Sequence, residues 1–310
     1  MGLIFIFVDG IGLGPQQPSN PFYTTKTPNL SRLLEGKSLT VESLAENYDT
    51  ASLLALDATL GVKGLPQSAT GQTSLFTGKN AAKILGYHLR GFPNQKLKNV
   101  LARHGMFSQL HDRSLRGTFA NAYRPQFFIE LGEGLKRCYS STTLITYFGG
   151  LRFRDLEDLK QGRAVHMGIT NDVLAKMGFD IPQITPLEAG KVLANISRGY
   201  DLTLYEHFLT DFVGHSGNYE EASRVIRMLD SFIGAVLDNL DLEKDLLLMT
   251  SDHGNLENLK VKGHTYNPVP ALIVGKNHGQ LAPLLQKTND ITGVLPALLE
   301  YLSRVANPYR

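Results

Sequence analysis

A single cysteine, Cys138, occurs in 310 residues. An internal disulfide is excluded, a reducing compartment is suited, and the thiol is expected to pack as a small buried hydrophobe. Charge of one sign is scarce too. The 31 Lys and Arg against 29 Asp and Glu leave a formal net charge of +2, which offers no field for nucleic acid or a membrane surface, so neither is expected as a partner. Long apolar runs are missing as well: Leu3-Ile4-Phe5-Ile6-Phe7-Val8 is far too short to span a bilayer, and no basic residue precedes it as in a signal peptide. The expectation is a cytoplasmic protein. No internal repeat or low-complexity tract is present. What is there is 42% hydrophobic and 19% charged, ordinary for a globular protein and long enough for one large α/β domain over residues 1–310.

Leu3 to Val8 is rich in β-branched and aromatic residues and stops at Asp9-Gly10, which predicts a strand buried on both faces. Gly10-Ile11-Gly12-Leu13-Gly14 has the look of a dinucleotide loop, but Pro15 stands where the third glycine belongs and no helix pattern follows, so that motif is excluded. Lys26 to Leu34 starts a helix with Thr27 as cap and Pro28 in the first position. Leu53 to Leu56 leads towards a turn at Ser68, and Leu97 to His104 forms a helix closed by Gly105. Arg116–Tyr123, Tyr200–Phe208, Leu246–Thr250 and Ala271–Val274 read as strands, and Pro186–Ile196, Tyr219–Leu240 and Ile291–Leu302 as helices. This alternation predicts an α/β fold, a mostly parallel sheet with helices on both faces. Between about residues 124 and 186 glycines punctuate a weak pattern, and an excursion or small cap is expected there. Its Arg152, Arg154 and Arg163 read as solvated surface or as substrate contacts.

The chemistry gathers around Gln67-Ser68-Ala69-Thr70-Gly71-Gln72, small residues and hydroxyls leading into a helix over Thr70–Phe76. A serine there faces free N–H groups and the positive end of the helix dipole, which favours phosphate, and Ser68 is the candidate nucleophile. Three predicted strands end in Asp9, in Asp211 with His215, and in Asp252-His253, while His264 precedes a fourth. Ligands bind beyond the carboxyl ends of such strands, so these side chains can meet in one crevice. Clustered carboxylates without a cation repel one another, which makes metal ligation the economical account. Asp and neutral imidazole suit Zn or Mn, and the ligand count suggests two divalent ions. One takes Asp211, His215 and His264; the other takes Asp9, Asp252, His253 and the Ser68 oxygen. Two ions ~4 Å apart can stabilise both the attacking and the leaving oxygen of an in-line phosphoryl transfer and activate a serine hydroxyl.

These segments, with Val8-Asp9-Gly10, Lys26-Thr27-Pro28-Asn29-Leu30, Gly64-Leu65-Pro66, Asp211-Phe212-Val213-Gly214-His215, Thr250-Ser251-Asp252-His253-Gly254-Asn255-Leu256-Glu257 and Gly263-His264-Thr265-Tyr266-Asn267-Pro268-Val269-Pro270, resemble the alkaline phosphatase superfamily. The similarity is strongest to its metalloenzyme branch, which contains the cofactor-independent phosphoglycerate mutases and the phosphopentomutases. The resemblance implies an alkaline phosphatase-like fold and phosphorylation of Ser68 during turnover. Two departures stand out: Gln72 occupies a position where the mutases carry His, and neither their large lid nor their arginine-rich substrate clamp has a clear counterpart. A mutase must keep its phosphoenzyme dry until the substrate's second hydroxyl attacks, so a smaller lid favours water as acceptor. The expected activity is hydrolysis of a small phosphorylated substrate, a monoester or diester, through a phosphoserine; the alternative is a phosphomutase.

Overall fold

The apolar run at the N-terminus forms the central strand β1 (Leu3–Val8), buried along its whole length in the computed structural model, which describes residues 2–45, 47–135 and 138–306. The other strands are β2 (Ala51–Leu56), β3 (Gly117–Phe119), β4 (Leu202–His207), β5 (Leu246–Thr250) and β6 (Val269–Val274), in the sheet order β2-β6-β5-β1-β4-β3. β1 pairs in parallel with β4 and β5, and β3 with β4, while β6 runs antiparallel to both β2 and β5. The sheet is thus mostly parallel, with one reversed strand.

Register places the chemistry at one edge. Val8 lies opposite His207 and Phe7 opposite Thr250, so the chain leaves β1, β4 and β5 side by side. Because β6 is reversed, with Thr250 opposite Ala271, the segment that enters it arrives at this same edge and brings His264. Leu56, the end of β2, pairs with Val269 and adds the loop that leads to Ser68.

Alternate side chains of β1 feed two cores, as the period of a pleated strand requires. Leu3, Phe5 and Phe7 join Leu75, Phe76, Leu144 and Leu298 on one face, where the Phe7 and Phe76 rings meet edge-on at 5.2 Å. Ile4, Ile6 and Val8 join Leu193, Leu229 and Phe232 on the other. The 20-residue helix Tyr219–Asp238 covers this second face beside Pro186–Ser197; Asn218 caps it by accepting from the Glu221 N–H, and Val225, Leu229, Phe232 and Val236 form its buried stripe. No helix of the described residues is long and apolar enough to cross a membrane.

Several local expectations change. The strand expected over Arg116–Tyr123 is only Gly117–Phe119, continued by isolated bridges from Asn121 to Val165 and from Ala122 to Arg154. Within 124–186, the helix Ser141–Phe148 packs Leu144 and Ile145 into the main core, whereas Leu159, Ala164, Leu174 and Ile181 make a small cluster of their own. Residues 136 and 137 of that segment lie outside the described residues. Its arginines have internal partners. Asp158 is 1% exposed and is neutralised by Arg152 at 2.7 Å and Arg163 at 2.8 Å, because a buried carboxylate needs compensation. Arg154 donates to Thr118 Oγ1 and to the Phe119 carbonyl, both at 2.6 Å, stitching the excursion to β3. Cys138 is exposed, not buried; it lies in the connection before Ser140 caps the Ser141–Phe148 helix, and connections run over surfaces where backbone polar groups reach water.

Candidate metal centre

Ser68 is the first residue of a helix, Ser68–Thr77, with Gln67 at the cap position but giving no side-chain cap bond. The helix therefore begins two residues earlier than the sequence pattern suggested, and the hydroxyl sits in the first turn, at the positive end of the dipole. Gly71 allows the helix to approach β5, since a Cβ there would lie 2.7 Å from the Asp252 carbonyl oxygen.

Asp9 follows β1 directly and Asp252-His253 follow β5. Asp211 differs from expectation: it is not at a strand end but in the helix Leu209–Ser216, with His215 one turn on. The helix is tied down where it starts, because Thr210 donates from Oγ1 to the Asp9 carbonyl at 2.5 Å. Gly10 sits between the two loops at φ +72, and a Cβ there would lie 2.7 Å from Asp211 Oδ1. Only glycine meets both conditions at little cost.

The predicted side chains converge. Ser68 Oγ is 3.1 Å from His253 Nε2, which is 3.3 Å from Asp9 Oδ1 and 3.5 Å from Asp252 Oδ2. His264 Nε2 is 3.6 Å from Asp211 Oδ1, and His215 Nε2 is 3.4 Å from Asp211 Oδ2. The His253 and His264 rings stack at 3.7 Å, and His264 and His215 lie 5.2 Å apart. Two compact groups result, each with ligand atoms within 4.8 Å of one another: Asp9, Asp252, His253 and Asp211, His253, His264. His253 belongs to both, whereas His215 lies outside both and adjoins the second through Asp211 and the His264 ring.

The residues fit a cation. Asp252 is fully buried and neither of its oxygens has a hydrogen-bond partner, and Asp9 Oδ1 and His253 Nδ1 are orphaned in the same way. Such groups carry the full desolvation penalty unless something else binds them. His264 adds an independent sign: Nδ1 is 2.7 Å from the Pro66 carbonyl, which can only accept, so the proton belongs on Nδ1 and the Nε2 lone pair faces the Asp211 carboxylate. Two acceptors facing one another call for a cation between them. The protonation pattern agrees. Burial, and then Asp9, push the Asp252 carboxyl well above its usual range. Burial alone would lower His253, but Asp252 and Asp9 overcome it and lift the imidazole to about 10. Burial and the neighbouring His253 hold His264 down to about 4.

Other residues position this centre without entering the sequence-predicted set. Gln72 donates from Nε2 to Asp9 Oδ2 at 3.1 Å. Asn255 donates from Nδ2 to Asp211 Oδ1 at 2.6 Å. Glu257 is fully buried and accepts from the Gly12 and Asn255 N–H groups at 2.8 Å each, from Asn267 Nδ2 at 3.0 Å and from the Thr265 hydroxyl. One carboxylate thereby joins the loops that carry Asp9, Asp252-His253 and His264. Its signal in the sequence was an acidic residue close behind Asp252-His253. Glu206 shows the same kind of signal, a carboxylate inside the otherwise apolar β4; burial and Asp9 raise it to about 8 while the Thr142 hydroxyl donates to it at 2.7 Å.

Two cavities lie away from this centre. One of about 400 Å³ opens at the opposite edge of the sheet, among Gly2, Arg116, Arg198, Asp201 and Lys244, and one of about 300 Å³ lies between Leu44 and Gln286 along β2.

Comparison with known proteins bears on the fold and the family. The 2,3-bisphosphoglycerate-independent phosphoglycerate mutase of Rhodopseudomonas palustris is 27% identical over 241 residues, covering 71% of this chain and 45% of that protein. The chain thus spans less than half the length of this curated relative. The structure of Leishmania mexicana phosphoglycerate mutase superposes with a TM-score of 0.54 at 12% identity, over 97% of this chain and 95% of that one. Alkaline phosphatase from the Antarctic bacterium TAB5 gives 0.50 at 12% identity over 98% of each chain. At these identities the superpositions speak for the fold alone. The profile described as the Metalloenzyme superfamily matches residues 1–303. With that match along nearly its whole length and an alkaline phosphatase-like fold beneath it, the chain belongs to the Metalloenzyme superfamily, a group of metal-dependent phosphoryl-transfer proteins.

Proposed function

We propose that this chain is a two-metal phosphohydrolase that cleaves a small phosphorylated substrate, a monoester or diester, through a phospho-Ser68 intermediate. The observation that carries this reading is the hydroxyl in the first turn of a helix, 3.1 Å from an imidazole that itself lies within 3.5 Å of two carboxylates. Asp9, Asp252, His253 and Ser68 would hold one ion, and Asp211, His215 and His264 the other, with His253 close to both. Bound Zn or Mn would supply Lewis-acid charge that lowers the pKa of the serine hydroxyl and neutralises the developing negative charge.

The chain's residues supply the rest. The Ser68–Thr77 helix aims Ser68 Oγ into the cluster and presents its N-terminus to the phosphoryl oxygens. Ser68 Oγ, having given up its proton, attacks phosphorus; the P–O bond to the leaving alcohol breaks and the alcohol oxygen takes a proton. Water then attacks phospho-Ser68, breaking the Ser68 O–P bond, restoring the hydroxyl and releasing inorganic phosphate from a monoester or the remaining phosphomonoester from a diester. Gln72 and Asn255 keep Asp9 and Asp211 in orientation throughout. With Arg152, Arg154 and Arg163 engaged internally, the segment 124–186 offers no arginine clamp from these three residues.

A phosphomutase is the second reading, and the name of the curated relative favours it. The product separates the two: inorganic phosphate or an isomer of the substrate. The deciding experiment is metal analysis of the full chain together with assays for released phosphate and for isomerised product over a panel of phosphoesters with added Mn²⁺ or Zn²⁺. Near two metals per chain with phosphate release supports the hydrolase. Isomer without phosphate would replace it by the mutase, and metal-free active protein would overturn both. Ser68→Ala should abolish turnover and leave metal content intact; substantial residual activity would sink the covalent step.

A further inference from the structure

Among the described residues, Ser68 Oγ has one side-chain hydrogen-bond partner, His253 Nε2 at 3.1 Å, and the ion proposed above would take that nitrogen. The aim of the hydroxyl then rests on the backbone that carries it. Thr70, two residues on, is fully buried. Its hydroxyl donates to the Gln67 carbonyl at 3.1 Å and accepts from the Leu89 N–H at 3.3 Å, while its own N–H donates to the Leu89 carbonyl at 3.3 Å. A hydroxyl bond to the carbonyl three residues back is an ordinary local feature. A second bond, from a segment 19 residues further on, is not.

These bonds pin two peptide planes. The peptide unit is flat, so holding the Gln67 carbonyl, which also accepts from the Gly71 N–H at 2.8 Å, fixes the Ser68 N–H that shares its plane. The Thr70 N–H fixes the plane between Ala69 and Thr70 in the same way, and the peptide from Ser68 to Ala69 lies between the two. Of the first four N–H groups of the helix, Thr70 and Gly71 have spent theirs. Those of Ser68 and Ala69 have no acceptor among the described residues and face out of the N-terminal end beside Ser68 Oγ.

The partner of Thr70 is built as a strap. Tyr87-His88-Leu89-Arg90 runs between Gly86 at φ +87 and Gly91 at φ +74. His88 Nε2 donates to the Val62 carbonyl at 3.2 Å, and the Leu89 side chain packs against the cluster of Ala69, Ala81 and Leu97. The strap is thereby fastened both to the helix that carries Ser68 and to the loop that precedes it. We propose that Thr70 is a positioning residue for phosphoryl transfer. It braces the first turn between Gln67 and the Leu89 strap, so that Ser68 Oγ and the two free N–H groups keep one direction while the bond to phosphorus forms. Thr70 itself touches no reacting atom. This inference rests on the covalent role proposed for Ser68.

The test uses the Mn²⁺-loaded full chain and a phosphoester that it turns over. Thr70→Val keeps the shape and deletes both hydroxyl bonds. Its kcat should fall on the order of 10- to 100-fold, as small misplacements of a reacting group do, with KM and metal content per chain unchanged. Thr70→Ser, which restores the hydroxyl, should return kcat to within severalfold of wild type. An unchanged kcat in Thr70→Val, loss of metal together with the loss of rate, or no recovery in Thr70→Ser overturns the inference. Should Thr70→Val fail to fold, Thr70→Ala is read against Thr70→Ser in its place. If the product is an isomer and not phosphate, the hydrolase reading falls while the same comparison still decides the role of Thr70. If no ester is turned over, the comparison moves to alkylation of metal-free Ser68→Cys protein by iodoacetamide, with peptide mass spectrometry separating that thiol from Cys138. Adding Thr70→Val should slow the alkylation severalfold, because the thiolate loses the aimed N–H groups, and adding Thr70→Ser should not; equal rates overturn the inference.

Discussion

The two edges of the sheet each carry three aspartates, and they are treated differently. At the edge where the parallel strands begin, Asp201 accepts from the Arg116 N–H at 2.6 Å, Asp241 pairs with Lys244 at 2.6 Å, and Asp245 accepts from the Gly2 N–H at 2.8 Å. At the edge where they end, Asp9 Oδ1 and both oxygens of Asp252 are buried with no hydrogen-bond partner and share a single imidazole, His253, at 3.3–3.5 Å, while Asp211 faces two imidazoles. The same side chain is satisfied by the protein at one edge and left for a cation at the other. An abundance of acids therefore says little about function; a failure to satisfy them, where the chain had every means to do so, says a great deal.

Two fully buried histidines repeat the contrast. His207, the last residue of β4, has Nδ1 2.8 Å from the Met167 carbonyl, and burial lowers its pKa to about 4. His253 is buried as deeply, yet Asp252 and Asp9 override burial and hold it protonated up to about 10. One imidazole is packed as a neutral structural group, the other sits in a field built for positive charge.

The contrast can be broken at several points. Asp252→Asn should have the largest effect: turnover lost and at least one metal missing by elemental analysis, while the metal-free protein gains about 1–3 kcal/mol in denaturant unfolding, because a buried carboxyl crowded by Asp9, with His253 Nε2 at 3.5 Å but no hydrogen bond, is replaced by a neutral amide. A variant less stable than metal-free wild type would contradict the claim that this aspartate awaits a cation. Glu257→Gln should weaken metal binding by about 10- to 100-fold in calorimetric titration, since a residue that orients ligands acts at that scale; unchanged affinity would reduce it to a packing residue. Metal loading at neutral pH should release protons, seen as a dependence of the calorimetric heat on buffer ionisation enthalpy, because His253 holds its proton up to about 10 until the cation arrives.

His207 provides the acid-side measurement. Its folded pKa of about 4 lies below the unfolded value of 6.5, so the folded state binds fewer protons than the unfolded one. Stability is unaffected above pH 6.5, falls as pH drops through that value, and has lost about 3 kcal/mol from this group near pH 4. His207→Gln should flatten that part of the stability curve by a comparable amount. The smallest effect is expected at the opposite edge, where Asp201→Asn should cost about 1 kcal/mol and leave metal content unchanged. Loss of metal there would erase the distinction between the edges.

Much of this was legible in the chain. A buried strand ending in Asp9, another ending before Asp252-His253, and a small-residue turn at Ser68 are local patterns, because strand burial and helix starts are written in neighbouring residues. Less was visible where a partner lies far away in sequence. Asp211 was expected at a strand end and stands instead on a helix, since a few polar residues after a strand carry little helical period. The arginines of 152–163 have partners that only the folded excursion supplies, and Cys138 is exposed by the course of a connection that composition does not describe. Glu257 was visible as a residue but not as the clamp of three loops, as its donors at Gly12, Asn255, Thr265 and Asn267 become neighbours only in the fold.

By itself, then, the sequence determined the α/β alternation and which residue types, Ser68 with the aspartates and histidines, stand at the ends of its elements, because these depend on residue chemistry and short-range periodicity. Tertiary structure alone decided that β6 is reversed so that His264 arrives at the same edge, that His253 stands between two groups of ligands, and which carboxylates are left without a partner. Those outcomes depend on strand register and long-range hydrogen bonding, which join residues up to some 250 positions apart, as between Gly12 and Glu257, and no local pattern encodes them.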